Sequence, residues 1–278
     1  MKYFLQTFKY LKNKNKFWKL LFLSVAPAAV LSFAMPVPNF NALLFDFFDG
    51  ILASESIFPV IFGYMTGLTA AKAALSTVTA PFAAVVISYI SSIIERDMHV
   101  GDFRYVPFAR NVNNNFYPYF VFIFFSLLGA EFLLLTGALF VNLWIAVFAG
   151  AEIMAFIFTV ITLILIFSTV TALFSLVIIW PALMINTGMK PLAALAHILR
   201  MKGSRKAVII AVLIPAAAFE AAYALCFLLS AGAAVYGILG AVFFAVTGVY
   251  LPTLINTAYY DIAGLNREDL NGLNIWTK

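Results

Sequence analysis

Charged residues are scarce in this sequence. Only 10% of its 278 residues are Asp, Glu, Lys or Arg and 64% are hydrophobic, whereas a soluble domain is about a quarter charged and about half apolar. The shortage excludes an ordinary soluble domain, and the mean hydropathy of +1.01 indicates a chain that resides in lipid. Several apolar stretches reach the roughly 20 residues that cross a bilayer as a helix. Because lipid offers no partner to free backbone groups, we predict an all-α polytopic integral membrane protein.

Cysteines, histidines and catalytic motifs are equally scarce. The single cysteine, Cys226, excludes an intrachain disulfide framework, and the two histidines, His99 and His197, have no second ligand at metal-binding spacing. The chain has no P-loop, no G-x-S-x-G and no H-E-x-x-H motif. The acidic run from Glu95 to Asp97 is expected to form a solvated boundary at the end of a span. The sequence therefore predicts no enzyme activity, no metal site and no cofactor.

The placement of the positive charges indicates a membrane topology rather than a nucleic-acid partner. All Lys and Arg residues except Lys72 fall within residues 2–19, 96–110, 190–206 and 267–278. An even number of crossings places these four groups on one side, which is the cytoplasm by the positive-inside rule, with both termini there. Six spans meet this condition: 17–35, 70–95, 116–138, 150–183, 207–230 and 234–258. The range 51–95 holds either one span plus an external helix or a re-entrant piece.

Three segments share one layout, in which a short helix with an apolar stripe leads through a basic or Asn-rich turn into a span. They read FLQTFKYLKNKNKFWKLLFL, FRYVPFARNVNNNFYPYFVF and LAALAHILRMKGSRKAVIIA, and their turns correspond when Lys12, Arg110 and Arg200 are aligned. The apolar stripes recur at helical spacing: Phe4, Phe8 and Leu11 in the first segment, and Leu192, Leu195 and Leu199 in the third. We predict three helical hairpins, each introduced by a cytoplasmic amphipathic helix.

Two of the longer stretches resemble a known family. ALSTVTAPFAAVVISYISSIIERDMHVGDFRYVPFARNVNNNFYPYF, with WPALMINTGMKPLAALAHILRMKGSRKAVII further on, resembles the YesL-type membrane proteins of Gram-positive bacteria. The family has no established activity, but its members are often encoded beside carbohydrate ABC importers. The resemblance thus implies a bacterial plasma membrane and a link to carbohydrate uptake. We predict one membrane domain over 1–278, comprising a first hairpin half with an extended outer segment (1–69), a YesL-like core (70–260) and a cytoplasmic tail (261–278).

Four charged residues fall inside predicted spans or at their outer ends, where a central charge costs at least about 2.5 kcal/mol. They are Lys72, Glu131, Glu152 and Glu220. We predict that they form one buried polar network beneath the outer surface. This network is either a solute or proton path, or a structural ion pair accompanied by glutamates at the interface.

The basic elbows supply the second set of candidate residues. Their side chains are predicted to contact either anionic lipid or a protein partner: Phe103, Arg104, Tyr105, Phe108, Arg110, Arg200, Lys202 and Arg205. Together with the resemblance, they predict a non-catalytic accessory or scaffold subunit of a membrane complex, in contact with the permease and ATPase subunits of a carbohydrate ABC importer. The alternative is a stand-alone transporter or channel for a small solute, which includes proton-coupled transport.

Overall fold

The regular structure of the described chain is entirely helical. The structure, a computed structural model, describes residues 1–105, 107–201, 205–229 and 232–270. Within these ranges the α-helices are α1 (Lys2–Lys12), α2 (Lys16–Ala34), α3 (Phe40–Phe45), α4 (Ile57–Thr66), α5 (Ala70–Val100), α6 (Phe108–Val147), α7 (Glu152–Val177), α8 (Trp180–Thr187), α9 (Pro191–Arg200), α10 (Arg205–Leu228) and α11 (Ala233–Ile262).

Six stretches of the described chain are long and apolar enough to cross a membrane. They lie in Lys2–Ala34, Val78–Val100, Val112–Val147, Glu152–Thr187, Lys206–Leu228 and Ala234–Ile262. Each one overlaps one of the six predicted spans, so the prediction of an all-α, multi-pass membrane protein is confirmed. The range 51–95 resolves into the short helix α4 followed by the spanning helix α5.

Helix α11 is the centre of the bundle, where it packs along α2 and against α5. Helix α6 lies between α5 and α7, and α10 contacts both α7 and α11. Small residues allow the closest of these approaches. At the α2–α11 contact, the hydroxyl of Ser24 donates a hydrogen bond to the carbonyl of Ala245 at 2.9 Å, and Gly248 faces the same serine.

One end of the bundle, here named the basic end, holds α1, the connection between α5 and α6, and α9. Lys14 and Asn15 adopt left-handed backbone conformations, with φ of 51° and 56°, and this turn folds α1 back against α10 and α11. The Lys2 ammonium then lies 2.7 Å from the carboxylate of Asp261, and the Tyr3 hydroxyl donates to the same carboxylate at 2.7 Å. The N-terminal helix is therefore part of the bundle.

The buried face of α1 differs from the predicted stripe. Tyr3, Thr7, Tyr10 and Leu11 are buried, whereas Phe8 is about half exposed. Tyr3 faces inward because α1 packs against protein, where its hydroxyl group finds a polar partner in Asp261. In α9 the protein side is formed by Ala194 and Ile198. Of the predicted leucine stripe, Leu192 and Leu199 are exposed, whereas Leu195 packs partly against the core. The exposure of Leu192 and Leu199 is expected of a helix that rests on lipid.

The middle elbow does not follow the predicted layout. The described residues between α5 and Phe108 contain no helix, and the Asn-rich stretch forms the first turns of α6 rather than a turn before it. Pro107 precedes the first helical residue, a place that suits its fixed φ and missing N–H group. The helix continues through the Asn-rich stretch and through Pro118, and α6 reaches 40 residues, or about 60 Å.

Two short helices close the opposite end of the bundle. The side chain of Asn39 caps α3 by accepting a hydrogen bond from the backbone N–H of Ala42 at 3.0 Å. The α3–α4 segment packs against the far halves of α6 and α7, and its buried residues include Leu43, Phe47, Ile61 and Met65. Helix α4 ends at Gly67, whose φ is 64°, and the backbone of Val37 lies directly against this glycine.

Candidate functional site

The connection after α5 presents a surface of aromatic and arginine side chains. This aromatic strip, residues 104–105 and 107–110, is held by Asp102, which binds Arg104 at 2.8 Å and Arg96 at 3.3 Å. Tyr105 is 56% exposed and Phe108 55%, although the Tyr105 hydroxyl reaches the carbonyl of Lys19 at 3.3 Å. The connection and the start of α6 therefore display two exposed aromatic rings.

The other residues predicted to contact lipid or a protein partner do not all lie on this surface. Phe103 points inward and packs against the main core, whereas Arg110 is exposed on the first turn of α6. Arg200 is exposed at the end of α9. Lys202 lies outside the described residues, and so does the side chain of Arg205. The structure thus places Arg104, Tyr105, Phe108 and Arg110 on one short exposed strip, apart from Arg200.

A buried ion pair fixes the inner side of this connection. The Lys16 ammonium and the Asp97 carboxylate are in direct contact, and each side chain is only 3% exposed. The Tyr10 ring lies 4.3 Å from the same ammonium group, and the Phe103 ring lies 5.8 Å from it, distances that suit cation–π attraction. The expectation of a solvated acidic boundary was therefore wrong for Asp97, because α2 supplies a buried cation to it.

A polar cavity, here named the vestibule, opens at the basic end between α5, α6, α8 and α11. Its volume is about 670 Å³. The lining is mostly polar: Ser92, Glu95, Arg96, His99, Val100, Asn114, Asn115, Ile185, Asn186 and Tyr260. Glu95 and His99 are one helical turn apart on α5, and Asn115 of α6 lines the same cavity opposite the Glu95 carboxylate. A site of this size and polarity can accept a small molecule.

One helical turn deeper, a polar layer closes the bottom of the vestibule. The hydroxyl groups of Ser91 and Tyr119 are 2.5 Å apart, and the amide of Asn256 donates to Ser91 at 2.8 Å. All three residues are buried. They come from α5, α6 and α11, so a single hydrogen-bonded group ties three spanning helices together.

An apolar central cavity of about 200 Å³ lies one helical turn below the polar layer. Its lining includes Leu31, Val86, Phe122, Phe174 and Leu251, and the described lining residues carry no charge. The polar layer therefore separates the polar vestibule from the apolar central cavity. A polar solute that crossed here would lose its hydration without a charged partner.

The four charged residues predicted for the far half do not form ion pairs with each other in the described structure. Lys72 is half-buried in the first turn of α5, and Glu152 is exposed at the start of α7. Glu220 is half-buried on α10. Glu131 is half-buried on α6, and its Oε2 atom is buried with no hydrogen-bond partner among the described residues. The shared network stays a prediction.

The unpartnered carboxyl of Glu131 leads to a stability prediction. We expect Glu131→Leu to raise the free energy of unfolding in detergent by about 1 kcal/mol or more, because a carboxyl group without a partner is costly inside a span. Denaturant unfolding of the purified protein measures this change. Glu152→Leu serves as the control, and it should leave stability unchanged or slightly lower, since Glu152 is exposed and favoured at a helix N-terminus. Lower stability for Glu131→Leu would show that the carboxyl has a favourable partner.

Only part of the vestibule lining could be predicted from the sequence. Glu95 and His99 stand at i and i+4, and the asparagines follow in the next element, but Asn186 and Tyr260 come from distant helices. Comparisons with known proteins give no further guide to the site: no family model, no curated protein and no solved structure matches this chain.

Proposed function

We propose that this protein is a non-catalytic accessory or scaffold subunit of a bacterial plasma membrane complex, with its basic end and both termini in the cytoplasm. The observation that carries the proposal is the aromatic strip. Tyr105, Phe108 and Arg110 are exposed together, and Tyr, Phe and Arg are enriched at protein interfaces. The Asp102 ion pairs hold the strip in place, which lowers the entropy lost when a partner binds.

The strip differs from the surface of this chain that best suits lipid. Helix α9 carries its exposed leucines as a stripe on an amphipathic helix, the pattern of an interfacial anchor. The strip displays rings from the connection and the first turn of α6, and the exposed Arg104 and Arg110 are close to these rings in sequence. Clustered aromatic and arginine anchors are typical of binding hot spots. This contrast supports a protein partner for the strip and lipid for α9.

The partner in this proposal is a carbohydrate ABC importer, with contacts to its permease and ATPase subunits. The resemblance to YesL-type proteins supports that choice, and the apolar central cavity supports a role other than carrying a sugar through the bundle itself. The positive-inside rule supports a cytoplasmic location of the strip, where an ATPase subunit would meet it.

Affinity purification from the native membrane in a gentle detergent tests the proposal. We expect permease and ATPase subunits to be recovered in fixed stoichiometry with the tagged wild-type protein. Phe108→Ala combined with Arg110→Glu should reduce that recovery by about tenfold or more, because truncation of a hot-spot residue costs about 2 kcal/mol or more. The matched control is Leu192→Ala with Lys190→Glu, which changes an exposed apolar and basic pair at the start of α9. It should retain the partners.

The stand-alone transporter is the second candidate, and the unpartnered carboxyl oxygen of Glu131 favours it. Reconstitution of the purified protein in liposomes separates the two functions. Solute flux by the protein alone, lost in Glu131→Gln or Glu220→Gln, would contradict the accessory role. Unchanged partner recovery in the strip variant would contradict docking at the strip.

A further inference from the structure

The vestibule contains the carboxylate of Glu95, which differs from the aspartates at the basic end because it has no ion-pair partner among the described residues. At the basic end, four aspartates form ion pairs with Lys or Arg: Asp97 with Lys16, Asp102 with Arg96 and Arg104, Asp261 with Lys2, and Asp269 with Arg267. For Glu95, no Lys, Arg or His nitrogen of the described residues lies within 4 Å. The groups that face it in the cavity are the neutral amide of Asn115 on α6 and the imidazole of His99 one turn along α5.

The surroundings of Glu95 define what kind of cation could bind it. Arg96 also lines the vestibule, but its guanidinium is engaged by Asp102 at 3.3 Å. The described residues offer no group of three His, Cys, Asp or Glu side chains that could hold a metal ion. The cavity of about 670 Å³ is also much larger than a bare ion, and it lies within the range of small-molecule sites.

We propose that the vestibule binds a small organic ammonium compound, whose charged nitrogen pairs with the Glu95 carboxylate. The amides of Asn114 and Asn186 stand on two other walls and can hydrogen-bond polar groups of the ligand. The Tyr260 ring lines the same space, and a ring face is a suitable neighbour for an ammonium group. The polar layer below stops the ligand from entering the apolar interior, so the site binds and releases on the same side.

Isothermal titration of the purified full chain in detergent tests this proposal. The probes are choline and putrescine, each compared with the neutral molecule in which carbon or oxygen replaces the charged nitrogen. At least one cation should bind about tenfold or more tightly than its neutral counterpart, since hydrogen bonds to charged groups contribute about ten- to hundredfold. Equal affinity of each cation and its neutral counterpart, or no binding by either cation, would overturn the proposal.

Two variants locate the binding. Glu95→Gln keeps the shape of the side chain and its capacity to bond Asn115, and it should lose the preference for the cation. Glu152→Gln makes the same chemical change at an exposed carboxylate on α7 and should bind as the wild type does. If Glu95→Gln does not fold, Asn114→Leu tests the site instead. This substitution makes another wall of the vestibule apolar without altering Glu95, and it should weaken binding about tenfold. Undiminished cation binding in the folded variant would place the ligand elsewhere and refute the site.

Discussion

Asp97→Ala is expected to lower the free energy of unfolding by about 3–5 kcal/mol, which is the usual cost of removing one member of a buried ion pair. The substitution leaves the Lys16 ammonium without its counterion in a position where its side chain is only 3% exposed. The nearby Tyr10 ring replaces only part of that interaction, since a cation–π contact is weaker than a desolvated ion pair. Denaturant unfolding in detergent, followed by circular dichroism, measures the loss.

Two further variants test the cause of this loss. Lys16→Met combined with Asp97→Leu should recover most of the stability, because a buried ion pair and a well-packed apolar pair are often nearly equal in energy. Lys2→Met is the control for a simple loss of charge. It breaks the exposed pair with Asp261 and should cost no more than about 1 kcal/mol. Similar losses for Asp97→Ala and Lys2→Met would show that burial is not the cause.

Gly67→Ala is expected to be the most damaging substitution at the opposite end, at about 3 kcal/mol or more. The left-handed backbone conformation alone costs a non-glycine residue about 1–3 kcal/mol, and Gly67 has a φ of 64°. A Cβ atom there would also overlap the backbone of Val37, which cannot rotate away as a flexible side chain does. The segment around Val37 would have to move, which would weaken the hydrogen bond from Asn39 N–H to the Tyr64 carbonyl, now 2.8 Å long.

Gly188→Ala separates the cost of the left-handed backbone conformation from the cost of the overlap with Val37. Gly188 ends α8 with a φ of 66°, but an added Cβ would meet nothing within 4 Å. Its substitution should therefore cost only the backbone penalty, about 1–2 kcal/mol. Unfolding curves of the two variants, with limited proteolysis of the 36–66 segment, distinguish them. Equal losses would mean that the approach of Val37 adds nothing.

The spanning helices were predictable because hydropathy and the placement of Lys and Arg act over whole segments. Length and apolar content alone located the six spans, and the Asn39 cap follows from a local rule. The structure of the Asn-rich elbow was harder to predict from the sequence. Asparagine has a modest helix propensity, so its cluster indicates a turn. In the structure Asn115 is buried and faces Glu95 from the opposite helix, and such tertiary contacts outweigh a weak local preference.

The candidate site was less predictable than the fold because its residues depend on pairs that are distant in sequence. The ion pair of Asp97 joins residues 81 positions apart, and nothing in the local acidic run indicates that Lys16 covers it. The polar layer joins Ser91 to Asn256 across 165 positions. By contrast, Tyr105 and Phe108 could be selected from composition alone. Their rings are exposed, and their contact with a partner or with lipid stays a prediction.

The docking of α1 against α11 has a consequence for the order of biosynthesis. The contact between Lys2 and Asp261 spans 259 positions, so it forms only after α11 has been made. At roughly 5–20 residues per second, α1 waits on the order of ten seconds or more for the helix on which it packs. Meanwhile its amphipathic surface can rest on the bilayer beside the ribosome exit. A nascent chain stalled before α11 should therefore leave α1 open to proteases, and release of the complete chain should protect it.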